Sequence, residues 1–279
     1  QVSGVATSIK TLKDELIRRG HEVIIFTTTD PNAPEYEEGI VRMPSVPFIS
    51  FKDRRVVVRG MWDAYMIARN FELDLIHTHT EFGAGFLGKA VGKKLHIPVI
   101  HTYHTMYEDY LHYIARGKVV RPAHVKVFSR IFANHTSGVV CPSERVITTL
   151  RNYGVVTPMC VIPTGIQTKK FETSEDTVTK SKQLRAFLGI HEDEIFLLSL
   201  SRVSYEKNIQ ALIERLPGIL QVKPNVRLVI VGKGPYEDAL KQLAYDKKVR
   251  NKVIFVGEVP NDQVALYYQS ADYFVCTST

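Results

Sequence analysis

Short apolar runs alternate with amphipathic stretches along the chain, and this alternation limits the possible fold more than any other feature. Five runs are rich in Val and Ile and are bounded by Gly, Pro or polar residues, which is typical of short buried strands. They are residues 21–26, 73–79, 96–102, 137–143 and 159–165. Between them, Val5, Ile9, Leu12, Leu16 and Ile17 share one face of a predicted helix that Gly20 ends. Apolar strands alternating with helices predict parallel sheets covered on both faces.

The second part of the chain repeats the pattern. Strands are predicted at residues 195–200, 226–232, 252–257 and 272–278, with helices in 208–224 and 235–248. The polar stretch 167–183 has the composition of a linker. We therefore predict an α/β protein with two doubly wound Rossmann-like domains, residues 1–167 and 168–279. Such sheets bind ligands at the carboxyl ends of their strands, so the loops that follow the strands are the candidate sites.

Composition places the chain among ordinary globular proteins. Hydrophobic residues make up 44% and charged residues 23%, and no apolar run reaches the length of a transmembrane helix. Cys141, Cys160 and Cys276 are far apart in sequence, which argues against a disulfide framework or a zinc site and favours a reducing, cytosolic compartment. The net charge of +7 would attract phosphates, nucleic acid or an anionic membrane, although a merely soluble basic surface gives the same charge. No nucleic-acid-binding motif is present, so we expect no nucleic-acid partner.

Two glycine-containing loops precede predicted helices. "SGVATS" (3–8) leads into the first helix, and "VGKGP" (231–235) follows a strand. Glycine lets a backbone approach a phosphate, and a helix N-terminus offers free N–H groups. Neither loop is a P-loop, and "GKGPYE" is not the GxGxxG of nicotinamide-binding folds. Glycine after a strand is more often simply a tight turn, so neither loop indicates a phosphate site by itself.

A pair of cations follows the first strand of the second predicted domain. Arg202 and Lys207 lie in "SRVSYEKN", directly after the run 195–200. Isolated surface cations are usually solvated and contribute little. At the ligand-binding edge of a sheet, however, arginine offers a planar fork and lysine a point charge for phosphate oxygens. The position therefore favours diphosphate binding.

Four histidines lie at or just after the ends of two consecutive predicted strands. His77 and His79 end one strand, while His101 and His104 end or follow the next. A metal site is one interpretation, but no carboxylate spacing supports it. We expect no metal and favour a polar role in ligand binding, with His104 furthest out of its strand.

Taken together, the motifs resemble a known family. "SGVATS", "TYHT", "IPTGI", "LSRVSYEKN", "VGKGP" and "FVGEVPNDQVALYYQSADYFVCTS" occur in the order found in family-four glycosyltransferases of the GT-B fold. The wording "YHTMYEDYLHYI" is most similar to bacterial glucosyltransferases that build glycolipids on diacylglycerol from UDP-glucose. The resemblance implies two Rossmann-like domains that face a cleft, with a first strand ahead of Gln1 and a C-terminal part beyond Thr279.

The resemblance also implies catalytic roles. His104 would contact the transferred sugar, and Arg202 and Lys207 would bind the donor diphosphate and neutralise the charge that grows as it leaves. The family retains the anomeric configuration. We assign no protein nucleophile, and the resemblance implies front-face attack in which the leaving phosphate accepts the proton of the acceptor.

Donor contacts are implied in the same way. Gly4 would lie under the diphosphate, Gly232 and Gly234 beside the nucleoside, and Val259 at the base-binding edge. This chain has "PTGIQ" (163–167) where many relatives have "PNGID", so a role for that Asn or Asp does not carry over. In the family, donor-sugar carboxylates would lie beyond Thr279. A protein that ended there is expected to bind nucleotide without transferring sugar.

Residues 110–143 combine basic and aromatic side chains without Asp or Glu. The basic residues are Arg116, Lys118, Arg121, Lys126 and Arg130. A second basic stretch is residues 51–60. Such mixtures suit an interfacial patch on anionic lipid. A core-facing helix with a solvated basic face is the alternative. On the first interpretation the protein is cytoplasmic and peripheral at the inner face of the cell membrane.

The predicted function is transfer of glucose from UDP-glucose to diacylglycerol, with no cofactor. Three alternatives stay open. One is an enzyme similar to phosphatidylinositol mannosyltransferases that uses GDP-mannose. Another is a sugar-nucleotide 2-epimerase, which would need acid/base carboxylates and no acceptor surface. The last is a non-catalytic nucleotide-sugar-binding module.

Overall fold

A computed structural model describes residues 4–31, 33–34, 36–48, 51–107 and 121–278 of the chain. The described residues form two compact units, one within 4–166 and the other within 167–278. No helix in these residues has the length and apolar character that crossing a bilayer requires.

Unit 1, residues 4–166, is built on a four-stranded parallel sheet. Its described helices are α1 (Gly4–Arg18), α2 (Met61–Asn70), α3 (Gly83–Leu95), α4 (Pro122–Ala133) and α5 (Glu144–Asn152). Its described strands are β1 (Ile25–Thr28), β2 (Ile40–Met43), β3 (Ser45–Phe48), β4 (Phe51–Val57), β5 (Ile76–Thr78), β6 (Val99–Thr102), β7 (Gly138–Cys141) and β8 (Met159–Val161). The main sheet has the order β5-β6-β7-β8, while β1 and β2 form a parallel pair and β3 and β4 an antiparallel pair.

The β3–β4 pair was not predicted from the sequence, where residues 51–60 were interpreted only as a basic stretch. Charged residues interrupt the apolar pattern of β4, so that only its end resembles a strand. Val57 at that end is buried in a cluster with Met43 of β2, Ala64 and Ala68 of α2, and Leu87 of α3. Packing against two helices therefore holds this strand in place.

Unit 2, residues 167–278, contains a second four-stranded parallel sheet. Its described helices are α6 (Glu175–Phe187), α7 (Gln210–Val222), α8 (Glu237–Asp246) and α9 (Val264–Ser270), with short 3-10 turns at Thr168–Phe171, Tyr205–Lys207 and Arg250–Lys252. Its strands are β9 (Ile195–Leu200), β10 (Val226–Val231), β11 (Val253–Gly257) and β12 (Tyr273–Phe274), in the order β11-β10-β9-β12.

Both faces of this sheet are covered, as the continuous apolar strands predicted. In β10, Leu228 and Ile230 join a buried cluster with residues of α7 and α8. Val229 and Val231, which alternate with them, join a second cluster with Tyr267 of α9. Successive side chains of a strand point to opposite faces, so the two clusters lie on opposite sides of the sheet. The predicted α/β class with parallel sheets is confirmed.

The strand order places a topological switch point beside β9. The two strands that follow β9 in sequence, β10 and β11, lie on one side of it, and β12 lies on the other. In sheets of this type the loops after the two strands flanking such a reversal diverge and leave a crevice at their carboxyl ends. The loops that follow β9 and β12 are therefore the candidate ligand loops of unit 2.

The interpretation of residues 167–183 as a linker was wrong. They contain a 3-10 turn and most of α6, which Ser174 caps by accepting a hydrogen bond from the Thr177 backbone N–H at 3.3 Å. The segment and the rest of α6 pack within unit 2, where the Phe171 and Tyr268 rings lie 5.8 Å apart and Leu184 contacts the core. None of the residues of α6 is fully buried, which explains why a real helix has the composition of a linker.

Candidate functional site

The loop after β9 holds Arg202 by a carboxylate from the same loop. Nη2 of Arg202 donates to Oε1 of Glu206 at 2.6 Å, and the Ser204 hydroxyl donates to the same oxygen at 2.6 Å. The side chain of Glu206 is 17% exposed, and that of Arg202 is 39% exposed. A charge-assisted bond of this kind restricts the orientation of the guanidinium group. The guanidinium group of Arg202 is thus partly exposed and is held in one orientation.

Lys207 lies at the switch point itself. Its carbonyl oxygen accepts a hydrogen bond from the Thr277 hydroxyl at 2.9 Å, which joins the loop after β9 to the residues after β12. A small depression there is lined by Ser201, Lys207, Cys276 and Thr277. Hydrogen bonds from Ser278 lower the pKa of the Cys276 thiol, and the charge of Lys207 adds to this effect. The depression thus lies where the loop after β9 meets the residues after β12.

Gly232 and Gly234 support the loop of Arg202 from the neighbouring strand. A Cβ on Gly232 would lie 1.9 Å from the carbonyl oxygen of Ser201, and one on Gly234 would lie 2.0 Å from that of Val203. The Val203 N–H donates to the Lys233 carbonyl at 3.1 Å, so the two loops are in direct contact. The structure thus brings Arg202, Gly232 and Gly234 together at one edge of the sheet. A side chain at either glycine would collide with the backbone of the Arg202 loop, which explains why both residues are glycine.

The other two predicted donor residues have less distinctive surroundings. The Val259 side chain packs against the buried cluster that contains Phe196 and Tyr267, which leaves its backbone for any contact with a base. Gly4 is exposed at the start of α1, and no heavy atom lies within 4 Å of a Cβ built on it. Their roles stay predictions.

The four histidines singled out in the sequence, His77, His79, His101 and His104, meet at the carboxyl ends of β5 and β6. The His77 and His79 rings lie with their centroids 4.1 Å apart and their planes tilted by 34°, and His79 Nδ1 lies 2.9 Å from His104 Nε2. His101, which is fully buried, places its Nδ1 2.9 Å from the Thr78 hydroxyl. Within the described residues, no group of three or more His, Cys, Asp or Glu side chains is arranged to hold a metal ion.

Burial favours the neutral form of three of these histidines. Desolvation, with a smaller contribution from neighbouring histidines, lowers the pKa of His77 to about 4 and that of His79 to about 2. Desolvation also lowers the pKa of His104, against a smaller opposite effect of Glu81. The rings of His77, His79 and His104 then each carry one N–H donor and one acceptor at neutral pH. The cluster suits hydrogen bonding to hydroxyl groups.

We expect acid to destabilise the protein through these histidines. The pKa values of His77 and His79 in the folded protein lie below the ordinary 6.5, so the unfolded chain binds more protons than the folded chain below pH 6.5. Their contribution to the free energy of unfolding is present above pH 6.5. It is lost as the pH falls from there towards the folded pKa, by about 1.4 kcal/mol per pH unit for each histidine. Calorimetry at pH 7 and pH 5 should show that the melting temperature falls less in His77→Gln than in the wild type when the pH is lowered. Substitution of exposed His191 is the control. Equal acid shifts in the wild type and His77→Gln would contradict the assignment.

Glu81 and Tyr107 belong to the same cluster and were not predicted. Glu81 is 2% exposed, and its Oε2 accepts a hydrogen bond from the Tyr107 hydroxyl. Oε1 of Glu81 lies 3.3 Å from Nε2 of His101, although the two are not aligned for a hydrogen bond. A single Glu after a strand resembles any surface residue, so nothing in the local sequence indicated its burial.

Helix α4 carries the described part of the predicted lipid-binding surface. It buries Val125, Ser129, Phe132 and Ala133. Lys126 and Arg130 are exposed, and so are Val127 and Ile131, at 44% and 51%. Arg121 is the N-cap of the helix, whereas Arg116 and Lys118 lie outside the described residues. The core-facing helix of the alternative interpretation is present, and its outer face is apolar as well as basic.

Comparison with known proteins defines the class. The family model described as Glycosyltransferase Family 4 matches residues 2–170, and the model described as Glycosyl transferases group 1 matches residues 180–279. The chain therefore belongs to glycosyltransferase family 4, which confirms the resemblance seen in its motifs.

Two curated relatives carry the same name. The alpha-monoglucosyldiacylglycerol synthase of Streptococcus pneumoniae is 51% identical over 100% of this chain and 64% of its own length. The alpha-monoglucosyldiacylglycerol synthase of Acholeplasma laidlawii is 34% identical over 100% of this chain and 72% of its own length. The chain thus spans about two thirds of the length of these relatives.

Solved structures show the same fold at low sequence identity. The sucrose-phosphate synthase of Thermosynechococcus elongatus aligns with a TM-score of 0.73 at 21% identity, over 99% of this chain and 70% of that one. Anabaena HepE in complex with UDP and glucose aligns with a TM-score of 0.72 at 18% identity, over 100% and 72%. These likenesses confirm the predicted GT-B fold class.

Proposed function

We propose that the full-length protein transfers glucose from UDP-glucose to diacylglycerol with retention of the anomeric configuration. The observation that carries the proposal is the position of Arg202 and Lys207 at the switch point of unit 2, in a chain of glycosyltransferase family 4. The shared name of the two curated relatives supports the glucolipid product.

In the proposed reaction, protein groups stabilise charge and orient the donor. The acceptor hydroxyl oxygen bonds to the anomeric carbon, the bond from that carbon to the diphosphate breaks, and the acceptor proton passes to the leaving phosphate oxygen. Arg202 and Lys207 neutralise the charge that accumulates on the diphosphate. His104, neutral and already held by His79, hydrogen-bonds a hydroxyl of the sugar. Gly232 and Gly234 keep the Arg202 loop in place beside the nucleoside.

Product analysis tests this function. Full-length protein is incubated with UDP-glucose or GDP-mannose, each with and without diacylglycerol vesicles. A glucolipid that forms only with UDP-glucose and diacylglycerol is expected. A mannolipid from GDP-mannose would overturn the donor assignment, and an altered sugar on the nucleotide without any lipid product would indicate an epimerase. Binding without turnover in every arm would indicate a non-catalytic module.

We propose further that α4 contacts the inner face of the cell membrane and places unit 1 at its lipid acceptor. Lys126 and Arg130 are exposed beside the apolar Val127 and Ile131, a combination that suits the headgroup region of an anionic bilayer. Such attraction decays within a Debye length, so vesicle binding should weaken with salt.

Charge reversal tests the α4 surface. Lys126→Glu/Arg130→Glu is expected to lose at least about 2 kcal/mol, roughly thirtyfold in affinity for anionic vesicles, since each basic residue contributes about 1 kcal/mol. The matched control is Lys180→Glu/Lys182→Glu on exposed α6, which changes the net charge equally. Equal sedimentation of the two double variants with phosphatidylglycerol vesicles would contradict the proposal.

A further inference from the structure

Glu81 is a buried carboxylate that the reaction above does not use. It follows β5 and precedes α3, with a side chain that is 3% exposed. Removing an ionised carboxylate from water is costly unless other groups replace the lost hydration. The partners that do so therefore indicate what the residue is for.

One partner of Glu81 belongs to the loop that carries His104. The Tyr107 hydroxyl donates to Oε2 of Glu81, and Tyr107 follows His104 by three residues. Burial, and after it the charge of Glu81, raises the pKa of Tyr107. The phenol therefore keeps its proton and remains the donor of this bond. The bond connects the loop after β5 to the loop after β6.

The other carboxylate oxygen lies close to the histidine cluster. Oε1 of Glu81 lies 3.3 Å from Nε2 of His101, whose Nδ1 is 2.9 Å from the Thr78 hydroxyl. In the same cluster, Nδ1 of His79 lies 2.9 Å from Nε2 of His104. The carboxylate thus touches the strand β6 and the loop that follows it, on either side of His104 in sequence.

Aromatic contacts surround the Tyr107 ring in addition to its hydrogen bond to Glu81. Phe82 contacts this ring edge-on at 5.6 Å, and Tyr103 contacts it edge-on at 6.2 Å. A hydrogen bond to a buried carboxylate contributes little net stability, because desolvation of the carboxylate offsets much of the hydrogen-bond energy. Its main effect is to fix the position of the group that donates to it. What the carboxylate specifies is the position of the Tyr107 hydroxyl and so of the His104 loop.

We infer that Glu81 is a positioning residue, which holds His104 in its place in the cluster through the hydrogen bond to Tyr107. The kinetic consequence rests on the proposed function, whereas the placement of His104 does not. Glu81 itself need not touch substrate. Its removal should change how well His104 is placed, and a small displacement of a substrate-orienting group can cost up to about a hundredfold in rate.

A double-mutant cycle separates positioning from general stability. Tyr107→Phe keeps the ring and removes only the hydroxyl, and it is expected to lower kcat roughly tenfold with less than a twofold change in the KM for the nucleotide sugar. In the His104→Ala background the same substitution should have almost no further effect, because residues that act as one unit are not additive. Losses that add in the double variant would overturn the inference. Glu81→Gln, which keeps the shape, should reproduce the kcat loss in the wild-type background.

A spectroscopic readout decides the placement independently of activity. In protein labelled with 15N-histidine, the His104 imidazole signals should shift in Tyr107→Phe and Glu81→Gln. They should not shift in the control Tyr65→Phe, whose ring on α2 contacts Trp62 and Lys94. Unchanged His104 signals in Tyr107→Phe would overturn the inference. If the wild type consumes no nucleotide sugar, the proposed function fails, and these signals still test the position of His104.

Discussion

Lys207→Ala is expected to lower the turnover of nucleotide sugar roughly a hundredfold while leaving UDP affinity much less changed. The lysine lies where the loops after β9 and β12 meet, beside a thiol whose pKa its charge helps to lower. Stabilisation of charge that develops only in the transition state contributes on the order of 3 kcal/mol to the barrier, which corresponds to about a hundredfold in rate. Arg202→Ala should behave similarly, and it also deprives Glu206 of its ion-pair partner at 2.6 Å.

Steady-state kinetics and calorimetric titration with UDP check this expectation. The matched control is Lys241→Ala, which removes an exposed lysine of the same unit that pairs with Glu237 on α8. The control should keep wild-type turnover, since exposed ion pairs contribute little. Near-normal turnover in both Lys207→Ala and Arg202→Ala would reject the assignment of the diphosphate site.

Gly232→Ala is expected to damage both stability and activity. The residue has a φ of +129°, where side chains are rarely tolerated, and its Cβ would lie 1.9 Å from the Ser201 carbonyl oxygen. Backbone must shift to relieve this contact, at a cost of about 1–3 kcal/mol. The shift would displace Ser201, which precedes Arg202 in sequence, so turnover should fall up to about a hundredfold as well.

Gly218→Ala is the matched control for this substitution. Gly218 lies inside α7, and no heavy atom approaches within 4 Å of a Cβ built on it. Alanine is favoured over glycine inside a helix by about 0.5–1 kcal/mol, so this variant should melt slightly higher than the wild type with unchanged turnover. If the two variants melt alike and turn over donor alike, the loop contact at Gly232 does not position Arg202.

The local sequence pattern was sufficient to predict those strands and helices whose characteristic pattern lies within one short segment. The run 195–200 is β9 to the residue, because every position of a strand buried on both faces must be apolar. The same run located Arg202 and Lys207 at the carboxyl end of a strand. Segments with a mixed pattern were missed or misread. In β4 charged residues precede the buried end, and in α6 no residue is fully buried.

The amino-acid sequence by itself determined the α/β class, the family and the cations that follow β9, since each depends on the order of residues within short stretches. The tertiary structure alone decided the strand order β11-β10-β9-β12, which places Lys207 beside Thr277 at the reversal of the sheet. It alone also placed Glu81 against Tyr107, 26 residues away in sequence. The physical reason is that β5 and β6 pair as neighbours, so the loops after them meet, and no local pattern records which strands will pair.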